Sequence, residues 1–430
     1  MENDDLKNVW ELYGVKENPF STSPILVIGG CIPIDSFVGR GEHIKRLSRI
    51  LGSKGGSRTF VWGDIGIGKT SFVNVVRNSA FEKDFFTHFK EITTQDKWTP
   101  DEFILNTLSA IFSTLKLMKS KPVSDKTYKN LESLFGIGRI NVSGGASLAG
   151  VGANYGKQSQ PTENLPTISL QTLFNDLVQE IITNTGQEVI VHYNNLELVS
   201  EKNIRKLFNN LRDFFQTQGV HFIFVGNLTA FSVLQSVPRF SSILTDTPFH
   251  IEKLSFDEVS EVIKKRFEGL RISNDINVIL PFTEDCLKKL YNLMDGNIRD
   301  VLNSLSTAVF YATEESPIIL DPNKLAKTLK NVLETRYLIK LTPKTRQVLG
   351  EIVKQKEITN KALSNKLKVP RSNISSYIKD LESAGCVFLR RKNGKDKFWK
   401  ADPRIKWSLL KESPQKTLSS IYARPPLRTV

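Results

Sequence analysis

The stretch TFVWGDIGIGKTSFVNVVRNSA, residues 59–80, decides the fold. Its opening residues Thr59–Trp62 are apolar and β-favouring, Gly63 to Thr70 reads GDIGIGKT, and SFVNVVRNSA continues with helix-forming character. A strand, a glycine-rich loop and a helix in that order match G-x-x-x-x-G-K-[ST] in the setting that gives the pattern its chemistry. Gly63, Gly66 and Gly68 let the backbone curl with its N–H groups inward, with Asp64, Ile65 and Ile67 completing the loop. The helix that Ser71 continues adds partial positive charge at its N-terminus, so the loop suits phosphate groups. Lys69 is expected to reach the β- and γ-phosphates and Thr70 to ligate Mg²⁺ through its hydroxyl, which makes ATP or ADP with Mg²⁺ the expected ligand.

Three further pieces stand around this loop in order. Upstream, Phe37-Val38-Gly39-Arg40 precedes GEHIKRL; downstream, HFIFVGNL (221–228) is an apolar strand reaching Asn227; later, Gly296-Asn297-Ile298-Arg299 opens a helix, DVLNSLSTAVF. Together with the YGVKENPF entry at 13–20, this layout resembles the AAA+ ATPases of the archaeal and eukaryotic replication-initiator clade and their bacterial relatives. The resemblance covers roughly residues 14–410. It implies that the Val38–Arg40 box lies near adenine, that Asn227 is a sensor-1 residue, and that Arg299 is a sensor-2 residue reaching the γ-phosphate from a helical lid. It also implies an arginine finger, for which Arg239 in SVPRFSSIL is the candidate, and with it a homo-oligomer around ATP. A surface arginine paired with Asp246 is the alternative.

One departure bears on catalysis. The strand EVIVHY (188–193) stands where the family carries its Walker B strand, yet it runs into Asn194-Asn195-Leu196-Glu197 rather than an acidic pair. The first acid normally orients Mg²⁺ and the second polarises the attacking water, and an amide cannot act as a general base. ATP is therefore expected to bind and to be hydrolysed slowly or not at all, unless Glu197 substitutes.

Charge locates a second function. The net charge is +14, and residues 341–430 hold 21 Lys and Arg against 7 Asp and Glu, leaving 38 of each sign in the first 340. A neutral body with a basic end is the footprint of a nucleic-acid-binding domain joined to something else. Three helices are expected at 341–355, 358–369 and 372–385, followed by two strands over 387–401 around Asn393-Gly394, a hairpin signal. Helix-turn-helix with a hairpin is a winged helix, and it resembles the one ending replication initiators. Arg371, Ser372, Asn373, Ser376, Tyr377 and Lys379 are expected to face the major groove, and Arg390, Arg391, Lys392, Lys395 and Lys397 the phosphates. The alternative is a winged helix that contacts protein.

The expected architecture is α/β: an AAA+ P-loop three-layer sandwich, a helical lid and a carboxyl-terminal winged helix-turn-helix. Its boundaries are 1–252 for the base with a glycine-rich insert at 136–166, 253–313 for the lid, 314–340 for a linker, 341–412 for the winged helix and 413–430 for a basic tail. The insert, with 7 of the 26 glycines within 136–156, is expected to be a flexible hairpin or loop and a candidate partner contact. No apolar run approaches the roughly 18–20 residues that span a bilayer, and MENDDLKNVW lacks signal-peptide order, so a cytoplasmic protein without membrane contact is expected. Cys31, Cys286 and Cys386 are too dispersed for a metal pair or a disulfide framework and are expected to be packed thiols. The function expected is a DNA-binding ATPase switch, replication-initiator-like or from a mobile element. A defence-system or regulatory ATPase is the alternative.

Overall fold

The computed structural model describes residues 8–136, 169–245, 247–336, 341–355, 357–393, 396–402 and 405. The chain divides into two units, Ser23–Lys253 and a second formed by Met1–Thr22 with Leu254–Val430. The expected insert lies almost wholly outside the described residues, as does the basic tail.

The first unit is built on a parallel sheet. Its strands are β1 (Arg58–Trp62), β2 (Phe86–Thr87), β3 (Ile92–Thr93), β4 (Val189–Asn194), β5 (Val220–Gly226) and β6 (Phe249–His250). They run in the order β2-β4-β5-β1-β6, with β3 also on β4. Every residue of β4 and β5 is buried, as expected of parallel strands covered by helices on both faces. The period of two sorts the side chains: Phe222 and Phe224 of β5 join one core, Ile223 and Val225 the other. The helix after the loop, Lys69–Phe81, and the helix Gly41–Leu51 cover the second face with Phe72, Val73, Val76, Leu47 and Leu51. On the first face Phe103, Phe174, Phe208, Phe215 and Phe240 gather around Tyr193, Phe222 and Phe224. Burying such a ring contributes about 1.5–3 kcal/mol, so this aromatic layer anchors the sheet from which the loop projects.

The chain between the loop helix and β4 supplies two short strands, β2 and β3, rather than one long one. Backbone groups between β2 and β3 are satisfied away from the sheet: the Phe89 N–H donates to Thr114 Oγ1 at 2.9 Å, and the His88 carbonyl accepts from Arg77. Cys31 is also unlike its expectation. It is exposed, while Cys286 and Cys386 are buried, because it follows Gly29-Gly30 on a bend whose buried position is taken by Ile32.

The second unit joins the two chain ends. Helices Phe256–Gly269, Glu284–Leu293, Ile298–Ala312 and Pro322–Arg336 are assembled there, the first with a Ser255/Glu258 capping box. Within the segment read as a linker, the helix Pro322–Arg336 buries Leu325, Leu329 and Val332. The amino-terminal residues, read as part of the base, pack in this unit. Tyr13 Oη lies 2.6 Å from Thr313 Oγ1, and Phe20 meets Trp10, Phe267 and Phe282. Arg266 donates to the carbonyls of Pro19 and Ser21 at 3.2 and 2.8 Å.

The same unit holds a winged helix. Helices Pro343–Val353, Asn360–Leu367 and Arg371–Ser383 enclose Leu349, Ile352, Leu363, Ile374, Ile378 and Leu381, and a three-stranded sheet closes the core through Trp399. That sheet is β7 (Ile358–Thr359), β9 (Asp396–Ala401) and β8 (Val387–Asn393), in spatial order β7-β9-β8. The second helix starts two residues later than expected because Ile358 and Thr359 pair with Trp399 and Phe398. Thr359 then caps it, accepting from the Ala362 N–H. Among the described residues no helix is long and apolar enough to cross a membrane.

Candidate functional site

The loop from Gly63 to Gly68 leaves the top of β1 and enters the helix Lys69–Phe81 through Gly68, whose φ is 90° and whose side-chain-free position caps nothing. A Cβ at Gly63 would lie 2.4 Å from the Ile251 carbonyl oxygen, so only glycine fits that turn. Ile67 is buried in the core and anchors the loop from inside, whereas Asp64 and Ile65 are exposed. Lys69 is 7% exposed, with Nζ donating to the Gly63 and Asp64 carbonyls at 2.9 and 2.8 Å, so its ammonium is held across the curl. Thr70 Oγ1 donates to Asn194 Oδ1 at 3.1 Å, which brings the helix and the end of β4 together. Ser71 faces elsewhere: its Oγ accepts from the Ile25 N–H at 3.2 Å.

Val38 and Gly39 are half-buried, and Arg40, at φ 62°, opens the helix Gly41–Leu51. Its guanidinium donates to the Ile67 carbonyl, to the Gly68 carbonyl at 3.0 Å and to the Glu252 carbonyl at 3.3 Å. Beyond β4, Asn195 has a left-handed backbone, φ 59°, and Glu197 sits on the short turn Leu196–Leu198 with Oε2 buried and without a hydrogen-bond partner. Asn227 ends β5 by capping the helix Leu228–Gln235, accepting from the Ala230 N–H at 2.9 Å. Arg239 is exposed on the turn Pro238–Ser241, and Asp246, its alternative partner, lies outside the described residues. Arg299 belongs to the other unit, exposed in the first turn of Ile298–Ala312.

A buried polar network beneath the loop escaped the sequence reading. Arg77, with no exposure, donates to Thr87 Oγ1 and Asn74 Oδ1, each at 2.9 Å, and to the His88 carbonyl. His192 lies 3.3 Å away, and its backbone N–H donates to His88 Nε2 at 2.9 Å. Burial lowers Arg77 to about 9, a drop that Glu91 opposes. Burial and the Arg77 charge hold both imidazoles well below their usual value. The legible signal was spacing: Thr70, Asn74 and Arg77 recur at i, i+4 and i+7 on one helix, and His192 and Asn194 at i, i+2 on one strand.

The phosphate-binding reading fits these residues. An uncapped helix N-terminus and a lysine meet at the curl. Thr70 and Asn194 offer two neutral oxygens of the hard type Mg²⁺ prefers, without a carboxylate between them. Among the described residues no group of three or more His, Cys, Asp or Glu could hold a metal.

On the winged helix, Arg371, Ser372, Asn373, Ser376 and Lys379 are exposed along the third helix, while Tyr377 is half-buried against the core. Asp380 and Glu382 are exposed toward its far end. Arg390 is exposed, 3.9 Å from the Glu357 carboxylate, and Lys397 is exposed with Nζ 5.9 Å from the Trp399 ring centre. Arg391 and Lys392 lie on β8 with side chains outside the described residues, as is Lys395 entirely.

With β5 inserted between the loop strand β1 and β4, and helices on both faces, the first unit has a P-loop fold, and the chain also carries a winged helix. Residues 59–228 match the KAP family P-loop domain, and residues 341–387 match a winged helix-turn-helix DNA-binding family. Similar solved structures include the Aeropyrum pernix ORC2 protein in ADPNP-ADP complexes, at 14% identity and TM-score 0.48 over 95% of this chain and 98% of that one. Cdc6p from Pyrobaculum aerophilum aligns at 15% identity and TM-score 0.44 over 95% and 98%. Aeropyrum pernix ORC1, in complex with DNA, aligns at 15% and 0.42 over 90% and 94%. No curated protein sequence matches the chain.

Proposed function

We propose that the chain binds ATP or ADP in the loop Gly63–Thr70 and uses nucleotide state to control binding of duplex DNA by its winged helix. The observation that carries this is the Thr70–Asn194 pair at 3.1 Å beside a buried lysine and an uncapped helix N-terminus. Lys69 exchanges its two carbonyl partners for phosphate oxygens, and the loop N–H groups complete the cradle. Thr70 and Asn194 would hold Mg²⁺, which when bound would neutralise phosphate charge. Neither Asn194 nor Asn195 accepts a proton from water, so hydrolysis is slow; Glu197, with its unpaired buried oxygen, is the carboxylate left to polarise water. Asn227 would orient water, and Arg239 would complete the site of a neighbouring copy. The role is that of a replication-initiator-like or mobile-element switch.

The test is binding of a labelled duplex to the full chain, with and without ATP-Mg²⁺, across a salt series with turnover followed in parallel. Salt-sensitive binding that changes with ATP while turnover stays far below about one per second is expected. Turnover near or above that rate overturns the switch. A second reading, a regulatory or defence ATPase whose winged helix grips protein, draws on exposed Asp380 and Glu382 and on Phe388, 41% exposed. Absence of DNA binding at low salt selects it.

A further inference from the structure

We infer that Arg40 is a positioning residue for phosphate: without touching the nucleotide, it aims the N–H groups of Gly68 and Lys69 into the cradle. This rests on the nucleotide-binding reading and names how one of its residues acts. In a planar trans peptide the C=O and the following N–H point in opposite directions. Arg40 donates to the Ile67 and Gly68 carbonyls, the second of which also accepts from the Phe72 N–H at 3.0 Å, so the Ile67–Gly68 peptide is the one Arg40 turns and the Gly68–Lys69 peptide is one it holds together with the helix. The amides sharing those two peptides, Gly68 N–H and Lys69 N–H, thereby point the other way. Two planar guanidinium nitrogens suit two successive carbonyls in a way a single ammonium does not.

Two independent features support the assignment. Gly68 is where the arginine comes close: a Cβ there would stand 3.3 Å from Arg40 Nη1 and 3.8 Å from Nη2, on a backbone already at φ +90°. Arg40 itself holds a left-handed backbone at φ 62°, a conformation that side chains rarely adopt and that persists where surroundings enforce it. Phe37 lies under the guanidinium, 5.9 Å from ring centre to Cζ, and the third acceptor, the Glu252 carbonyl, belongs to the chain leaving β6. The clamp therefore fixes the loop against the edge of the sheet as well as turning its peptides.

The test uses the full-length chain and inorganic pyrophosphate, which presents phosphates without a base, alongside ATP. Affinities are measured for the natural protein, Arg40→Ala and Arg40→Lys, with thermal unfolding of each in the absence of ligand. Arg40→Ala is expected to weaken pyrophosphate and ATP by a similar factor, about 10–100-fold, as for one misdirected donor to a charged ligand. Arg40→Lys, which keeps the charge and loses the fork, is expected to be nearly as weak. Natural affinity in Arg40→Lys would overturn the positioning role in favour of charge alone. Natural affinity in Arg40→Ala with a lowered unfolding temperature would reduce Arg40 to a structural part. If the natural protein binds neither ligand, the nucleotide reading itself fails, a result separable from either variant.

Discussion

The Arg77 cluster shows how a single buried charge shapes its surroundings. The guanidinium touches neutral acceptors, with Glu91 close enough to oppose its desolvation, and His88, just past β2, and His192, on β4, face it. A second positive charge there is costly, so both imidazoles stay neutral when folded and sit well below the 6.5 of a free histidine. The sign follows: below pH 6.5 the unfolded chain binds protons that the folded chain refuses, so stability falls as pH drops. Two such groups give a slope of up to about 2.7 kcal/mol per pH unit. Denaturant midpoints between pH 6.5 and 5, above most carboxylate titration, should show this slope. The double variant His88→Gln/His192→Gln should flatten it, and an unchanged slope in that variant would remove the cluster as its source.

At the scale of elements, what the sequence reveals depends on how local the constraint is. The loop over 63–70 is legible because phosphate chemistry demands those residues at that spacing, and the third helix of the wing because Ile374, Ile378 and Leu381 mark one buried face. The start of the second helix there is not, since Ile358 and Thr359 are strand-favouring but too short a run to read as a strand without the partner β9 offers them. Arg40 reads as part of a nucleotide box, while its partners at Ile67, Gly68 and Glu252 lie across long stretches of chain. The hairpin invites its own prediction. Arg390 and Lys397 are exposed on paired strands, so each replaced by alanine should weaken duplex binding about equally across sequences. Each should also reduce the salt slope by about one. A change in sequence preference instead would place that residue against bases.

Across the whole molecule, a charge-neutral first 340 residues and a basic remainder separate nucleotide chemistry from nucleic-acid contact. The path of the chain joins them again, because the second unit takes residues from both ends. Phe20 is the keystone of the amino-terminal part, 1% exposed among Trp10, Phe267 and Phe282. Phe20→Ala should cost about 3–5 kcal/mol in that unit. Limited proteolysis should then cut the helices around 256–312 before it cuts the parallel sheet, and equal protection of both would show that Phe20 carries little of the packing. The same arrangement has a consequence during synthesis. Tyr13 meets Thr313 across 300 residues, so at about 5–20 residues per second the ribosome leaves Tyr13 waiting roughly 15–60 s for that partner. For that interval the parallel sheet, all of whose strands lie before Lys253, already has every residue it needs, so the second unit is the last part of the molecule that can close.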